Sequence, residues 1–344
     1  MPFYRHNIAK DRSGHAPALA GTSVAILRWR LAVCWLLSLV LLFPCGGATC
    51  ARRRPTADFT PPVVFEETPT LAQLMDQFNR TAAIERLSCS TVSMTSPESS
   101  AELSGNLSWH RPADFRLQAY MGATRMLGDA LDAGSNADAF WLLTKIPGEP
   151  HTLYYARHDQ FEAQLGPRRI LPLSPLWIRE ALGIIDFDPA GQHEGPLTRP
   201  DGKLEVRSLM PTPRGAYQRI VIVEPTRATV QQLVLMDPSG RMVASAQQSE
   251  HQYYSAVDVS LPHRVDLQLQ PNDGPVLAFT LRIGFYTLNE VTGDESLRYV
   301  MPDPTGLSVV DLVRANAATG HIEPTPPASP SKSAQQHNPL GNYR

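Results

Sequence analysis

The stretch Leu131-Asp132-Ala133-Gly134-Ser135-Asn136-Ala137-Asp138-Ala139-Phe140-Trp141, continued by Leu142 and Leu143, decides how this chain is read. Gly134-Ser135-Asn136 is turn chemistry, because glycine tolerates positive φ and serine or asparagine side chains bond the local backbone. Phe140 to Leu143 is strand chemistry, with large side chains directed alternately to two faces. Further short apolar segments lie on both sides at hairpin spacing. The stretch therefore predicts the middle of an antiparallel sheet.

Just upstream the period is two. Ala101, Leu103, Gly105, Leu107 and Trp109 alternate with Glu102, Ser104, Asn106, Ser108 and His110. That is a half-buried strand. Arg111 to Asp114 makes a turn, and Phe115, Leu117 and Ala119 return on one face. More strands are expected at 126–133, 139–146, 151–157 and 160–165. A break at Pro167–Pro175 follows, and Ser174-Pro175 opens a short helix over 176–182 that Gly183 closes. After a loop at 186–202 the spacing predicts strands near 203–210, 216–224, 228–237, 241–249, 254–259, 262–269 and 276–284. Asp237 to Gly240 and Asn272 to Gly274 read as hairpin turns.

Ahead of the strands lies the clearest helix, 69–86. Thr68 is placed to cap it, Pro69 suits its first turn, and Leu71, Leu74, Met75, Phe78 and Ala82 recur at helical spacing. Its other face carries Gln73, Asp76, Gln77 and Arg80, so it rests on apolar surface. The total is about a dozen strands with two helices, and a sheet of that size must curl, split or close. The fold class is mainly β, a curved antiparallel sheet packed around an amino-terminal amphipathic helix and a second short helix. A concave apolar face must be filled, by helices or by a ligand.

The ends carry different information. Arg28 and Arg30 precede an uninterrupted apolar run over 31–43, a basic region and core of signal-peptide length, too short for a comfortable membrane span. Gly46-Gly47-Ala48-Thr49-Cys50 then resembles a bacterial lipoprotein processing site, which makes Cys50 the candidate lipidated residue. Signal cleavage near Ala48 or Ala51, or an uncleaved anchor from about Val24, are the alternatives; all three export the chain. Residues 1–50 are thus read as an anchor region and 51–66, with Arg52-Arg53-Arg54 and several prolines, as an extended tether. The folded domain is placed at 67–318, and 319–344, rich in Pro, Ser, Gln and Asn, as a disordered tail.

Composition excludes several classes. A net charge of −2 over 344 residues leaves no basic footprint for nucleic acid. Of four cysteines, Cys34, Cys45 and Cys50 crowd the first fifty residues, so Cys89 stands alone in the body and offers no disulfide framework or zinc cluster. Nucleophile elbows, zincin helices, phosphate loops and dinucleotide fingerprints are missing from the sequence. Asp186 to Gly191 begins like a calcium loop, but Ala190 and Leu197 stand where ligands belong. Asp132 and Asp138 flank the central turn as a candidate carboxylate pair; turn-capping and solvent exposure account for them more simply. Asn79-Arg80-Thr81 and Asn106-Leu107-Ser108 match the glycosylation pattern but fall on a helix and a strand. No enzyme, metal or cofactor is expected.

Several features occur together in order. They are the amphipathic helix 69–86, Gly105 to Trp109, Arg111-Pro112 followed by Phe115-Arg116-Leu117, Asp132 to Asn136 with Phe140-Trp141, and Leu153-Tyr154-Tyr155. In this the chain resembles the outer-membrane lipoprotein-sorting proteins of the LolA/LolB type, over about residues 65–300. The resemblance implies an incomplete antiparallel barrel around helices, enclosing a cavity for the acyl chains of lipids or lipoproteins. With Cys50 lipidated, it is closer to the family's membrane-anchored acceptor than to its soluble shuttle. The implied place is the cell envelope, anchored by lipid and facing the periplasm, in the outer membrane rather than the inner. Candidate cavity residues are Leu74, Met75 and Phe78 on the helix and Leu103, Leu107, Trp109, Phe115, Leu117, Phe140 and Leu142 on strands. An ordinary filled core is the alternative for each of them. A scaffold with the same fold, a filled interior and an envelope protein partner is the competing function.

Overall fold

A computed structural model describes residues 59–122, 128–145, 148–272, 274–291 and 298–317. The anchor region with Cys50 and the tail 319–344 lie outside the described residues.

Helix α1 runs Leu71–Asn79 and is started by a reciprocal capping box. The Gln73 N–H donates to Thr70 Oγ1, while Gln73 Oε1 accepts from the Thr70 N–H. The cap is therefore Thr70, not Thr68, and Pro69 precedes the helix. A 3-10 turn, Arg80–Ala83, ends it early, because the chain enters a strand at Arg86. Leu74 and Phe78 are buried beneath it, one helical turn apart.

The strands in chain order are β1 Arg86–Ser96, β2 Ser99–His110, β3 Asp114–Met121, β4 Asp129–Ser135, β5 Ala139–Thr144 and β6 Thr152–Arg157. Helix α2, His158–Ala163, follows directly. A 3-10 turn at Pro175–Trp177 leads into the short helix α3, Ile178–Ala181. Then come β7 Gln192–Thr198, β8 Leu204–Thr212, β9 Gly215–Val223, β10 Val230–Met236 and β11 Met242–Ser249. They are followed by β12 Gln252–Tyr254, β13 Val259–Leu261, β14 Arg264–Leu269, β15 Leu277–Ile283, β16 Thr287–Leu288 and β17 Ser308–Asp311, with α4 at Leu312–Ala317.

One large curved sheet holds all strands except the β12/β13 hairpin. Its order is β17-β6-β5-β4-β3-β2-β1-β15-β14-β11-β10-β9-β8-β7, with β16 beside β1. Two antiparallel meanders, β1–β6 and β7–β15, are thus sewn together at β1 and β15, where Val92 faces Ile283 and Met94 faces Leu281. The ends of the order do not pair with each other, so the sheet stays open. Edge strand β7 is short and polar, with a bulge between Glu194 and Leu197, features that blunt an edge against unwanted pairing. At the other end the parallel strand β17 covers β6.

Four strand expectations change, the first at 254–259, where residues 255–258 form the turn between β12 and β13. Strand β1 replaces a stretch left without an element, and β7 lies in the expected loop 186–202. The segment 160–165, expected as a strand, is helical over 160–163. Only Phe161 in α2 is buried, edge-on to Phe140 at 4.9 Å between ring centres, while Leu165 is 73% exposed. A strand would have put Phe161 and Leu165 on one face.

The inner face of the sheet is filled at one end by α1 and by the strap 171–188. Asn79 on α1 grips Phe187 through both backbone groups at 2.8 and 2.9 Å, and Thr81 Oγ1 donates to the Ile185 carbonyl. The strap is tied to the sheet by a buried ion pair, Arg219 Nη1 to Glu180 Oε1 at 3.2 Å. Gln248 donates to the carbonyls of Glu180 and Ala181. The contiguous core around them includes Ile84, Leu87, Val206, Val221, Leu233 and Val265. Residues 59–65, part of the expected tether, also lie on the domain. The Phe59 carbonyl accepts from Tyr253, and the Thr226 carbonyl accepts from Val64 and Phe65.

Candidate functional site: an apolar cavity on the inner face

The opposite end of the inner face is not filled. A cavity of about 530 Å³ opens there, within the size range of small-molecule pockets. Its walls come from both meanders: Met94 on β1, Leu103 on β2, Leu117 and Met121 on β3, Leu131 on β4 and Leu142 on β5 face Leu267, Leu269 and Phe279 on β14 and β15. The strap supplies the floor through Leu171, Pro175, Trp177 and Ile178. Thr95, Glu98, Ser99 and Ala101, all exposed and at the β1–β2 turn, rim the mouth, with Thr144 and Lys145 across from them. Apolar walls with a polar rim can hide hydrocarbon from water. They offer no array of directed polar groups for bond chemistry.

The ten candidate cavity residues separate into two sets. Leu103, Leu117 and Leu142 line the cavity. Leu74, Phe78, Leu107, Trp109 and Phe115 are at most 5% exposed and belong to the packed core under α1, with Met75 against its edge. Phe140 packs with Ala156, Phe161, Leu171 and Leu312 in a separate cluster. Period two places residues on the inner face, but the position of α1 along that face decides which are covered. Met94, Phe279 and Leu269 belong to the wall and were not among the candidates. The alternation of Leu269 and Phe279 is visible in β14 and β15, whereas the pairing of β15 with β1, which brings Met94 to the wall, is not.

The central stretch also differs from its expected form. Gly134 and Ser135 are strand residues, and the turn comes one step later. There Asn136 Oδ1 accepts from the N–H groups of Asp138 and Ala139, each at 3.0 Å. Asp138 is exposed, as expected, but Asp132 is 3% exposed. Its carboxylate takes two hydrogen bonds from Arg116, at 3.1 and 2.6 Å, and one from Trp141 Nε1 at 3.3 Å. This cluster sits on the outer face, where Met301 and Leu307 cover Trp141, Leu143 and Leu153. Neither aspartate borders the cavity, so they do not form a catalytic pair within it.

A smaller cavity of about 270 Å³ lies behind the strap, and Leu173, Ser174 and Trp177 line both. Its wall is mixed: Pro112, Leu176, Met210 and Leu235 line it beside Glu162, Arg168, Arg179, Glu180, Thr212, Arg214 and Tyr217. Burial lowers the Arg168 guanidinium from its ordinary value. Its Nη groups donate to the carbonyls of Pro172 and Phe161, and the guanidinium lies 3.9 Å from the Phe161 ring centre. Among the described residues no cluster of His, Cys, Asp or Glu could hold a metal ion, and no helix is long and apolar enough to cross a membrane.

No family model and no curated protein matches the sequence. Solved structures do match. The chain is similar to the outer membrane lipoprotein-sorting protein domain from Vibrio parahaemolyticus, at 13% identity and a TM-score of 0.41, covering 64% of this chain and 93% of that one. It is similar to a LolA superfamily protein from Nitrosomonas europaea, at 9% identity and a TM-score of 0.41, covering 65% and 96%. A DUF1329 family protein from Desulfovibrio piger matches at 10% identity and a TM-score of 0.42, over 65% and 96%.

Proposed function

We propose that this chain is a cell-envelope protein that binds acyl chains of lipids or lipoproteins in the inner-face cavity, as a carrier or acceptor, without catalysing a reaction. The observation that supports it is the 530 Å³ cavity itself, walled by leucines, methionines and a phenylalanine from both meanders. Each methylene buried there is worth about 0.8 kcal/mol, so hydrocarbon alone supplies the affinity. In this reading Cys50 is lipidated and holds the protein at the outer membrane, facing the periplasm.

Native mass spectrometry of the full chain, released from mild detergent, tests the proposal. Bound species in the mass range of phospholipid or acylated peptide are expected, and they should vanish in Leu103→Glu or Leu142→Glu. Both residues are half-buried on the cavity wall, so a carboxylate there can reach water through the mouth. A bare protein mass, with no uptake when lipid is offered, overturns the proposal. The protein would then be a scaffold, and the search would turn to an envelope partner for its Pro-rich tail.

A further inference from the structure

We infer that the smaller cavity behind the strap is an anion site that takes the charged head of an amphiphile whose chain lies in the larger cavity. This rests on the acyl-chain reading above. The two cavities share Leu173, Ser174 and Trp177, so a head and its chain can divide between them along one short wall.

Three donors on residues that line it have no hydrogen bond within the protein. Arg168 Nε, Arg214 Nη1 and Trp177 Nε1 are all buried without a hydrogen bond. Arg168 as a whole is 3% exposed, and its two Nη groups are already fixed by carbonyls, so the guanidinium is held in place rather than swinging in solvent. A buried N–H left unmade is destabilising, and native proteins keep such groups where a ligand or ordered water completes them.

The charge balance points the same way. The carboxylates on this wall are engaged: Glu180 Oε1 by Arg219 at 3.2 Å and Glu162 by Arg168 at 3.6 Å, although Glu180 Oε2 itself accepts nothing. Arg179 is matched to Asp186 at 3.4 Å. Arg214, in the turn between β8 and β9, has no carboxylate within ion-pair distance among the described residues. An uncompensated guanidinium beside a fixed one suits a planar carboxylate or a phosphate, which each accept paired N–H donors. The chemistry assigned is a single anionic head, from a fatty acid or from a phosphate ester of the same chain.

Three fluorescent probes with one labelled acyl chain test this on the full chain: the fatty acid, the phosphate monoester and the neutral alcohol. The anionic probes should bind about tenfold tighter than the alcohol, a difference of about 1.4 kcal/mol. Arg214→Gln should erase that difference while leaving the alcohol's affinity unchanged, and Arg214→Lys should restore part of it. The tighter of the two anions identifies the head. Equal affinity for all three probes overturns the anion site and leaves the acyl cavity standing. If Arg214→Gln weakens the alcohol as much as the anions, Arg214 shapes the fold and the assignment falls. Binding of none of the three overturns the acyl-chain reading and this one with it.

Discussion

Trp141 occupies the space that a side chain on Gly134 would need. The two are cross-strand partners on β4 and β5, and a Cβ built on Gly134 would lie 2.2 Å from Cζ2 of the indole. A glycine in a strand interior weakens it unless something uses the gap; here the indole does. Because the nearest atoms belong to a fully buried ring, the clash cannot be relieved by swinging a flexible side chain.

Gly134→Ala should therefore destabilise the domain by about 1–3 kcal/mol, the usual effect of overpacking. Urea denaturation followed by tryptophan fluorescence measures it. An unchanged midpoint would show that Trp141 moves aside without loss.

Asp132→Ala removes the carboxylate that holds Arg116 and leaves a guanidinium only 16% exposed without its partner. The expected loss is about 3 kcal/mol, because breaking a buried pair strands a charge. The double variant Asp132→Leu with Arg116→Met should recover much of that stability. If the double variant is as unstable as the single one, packing against Trp141 matters more than charge.

The cavity and the core answer differently to leucine substitutions. Leu107→Ala, in the packed core at 2% exposure, should lower stability by about 2–5 kcal/mol. Leu103→Phe on the cavity wall should leave stability within about 1 kcal/mol and reduce acyl-chain uptake, since the added volume enters unfilled space. Equal destabilisation by the two would mean that the cavity closes in solution.

Acid should weaken the fold through two histidines. Burial lowers His251 to about 4, and lowers His263, whose ring is fixed between the Tyr254 hydroxyl and the Ile283 carbonyl. Below the ordinary imidazole value of 6.5 the unfolded chain binds these protons and the folded chain does not. Stability is therefore full above about pH 6.5 and declines as pH falls toward 4. His251 Nε2 has no partner, so a proton there would be buried unbonded. His251→Gln should flatten the decline in denaturation midpoints between pH 7 and 4.5; an identical slope in the variant would remove His251 as a source.

Period two in 101–110 and 114–121 determined two of the central strands, and the spacing of Leu71, Leu74 and Phe78 determined that a helix precedes them, though not its cap or its end. Those signals are local, carried by neighbours along the chain. Strand β1 was illegible for a physical reason: its bulge leaves Ser90 and Thr91 both exposed between Cys89 and Val92, which breaks the alternation that marks a strand. Gly134-Ser135 misled because glycine serves a turn and a close-packed indole equally well, and only the cross-strand neighbour distinguishes the two. The sequence alone thus determined a large antiparallel sheet with an apolar inner face and a helix to lie on it. Only the tertiary structure decided that β1 joins β15, that α1 and the strap cover Leu107, Trp109 and Phe115, and that Leu103, Leu117 and Leu142 face open space. Which inner-face residues meet a helix and which meet a cavity depends on contacts between segments far apart in the chain, and periodicity carries no record of them.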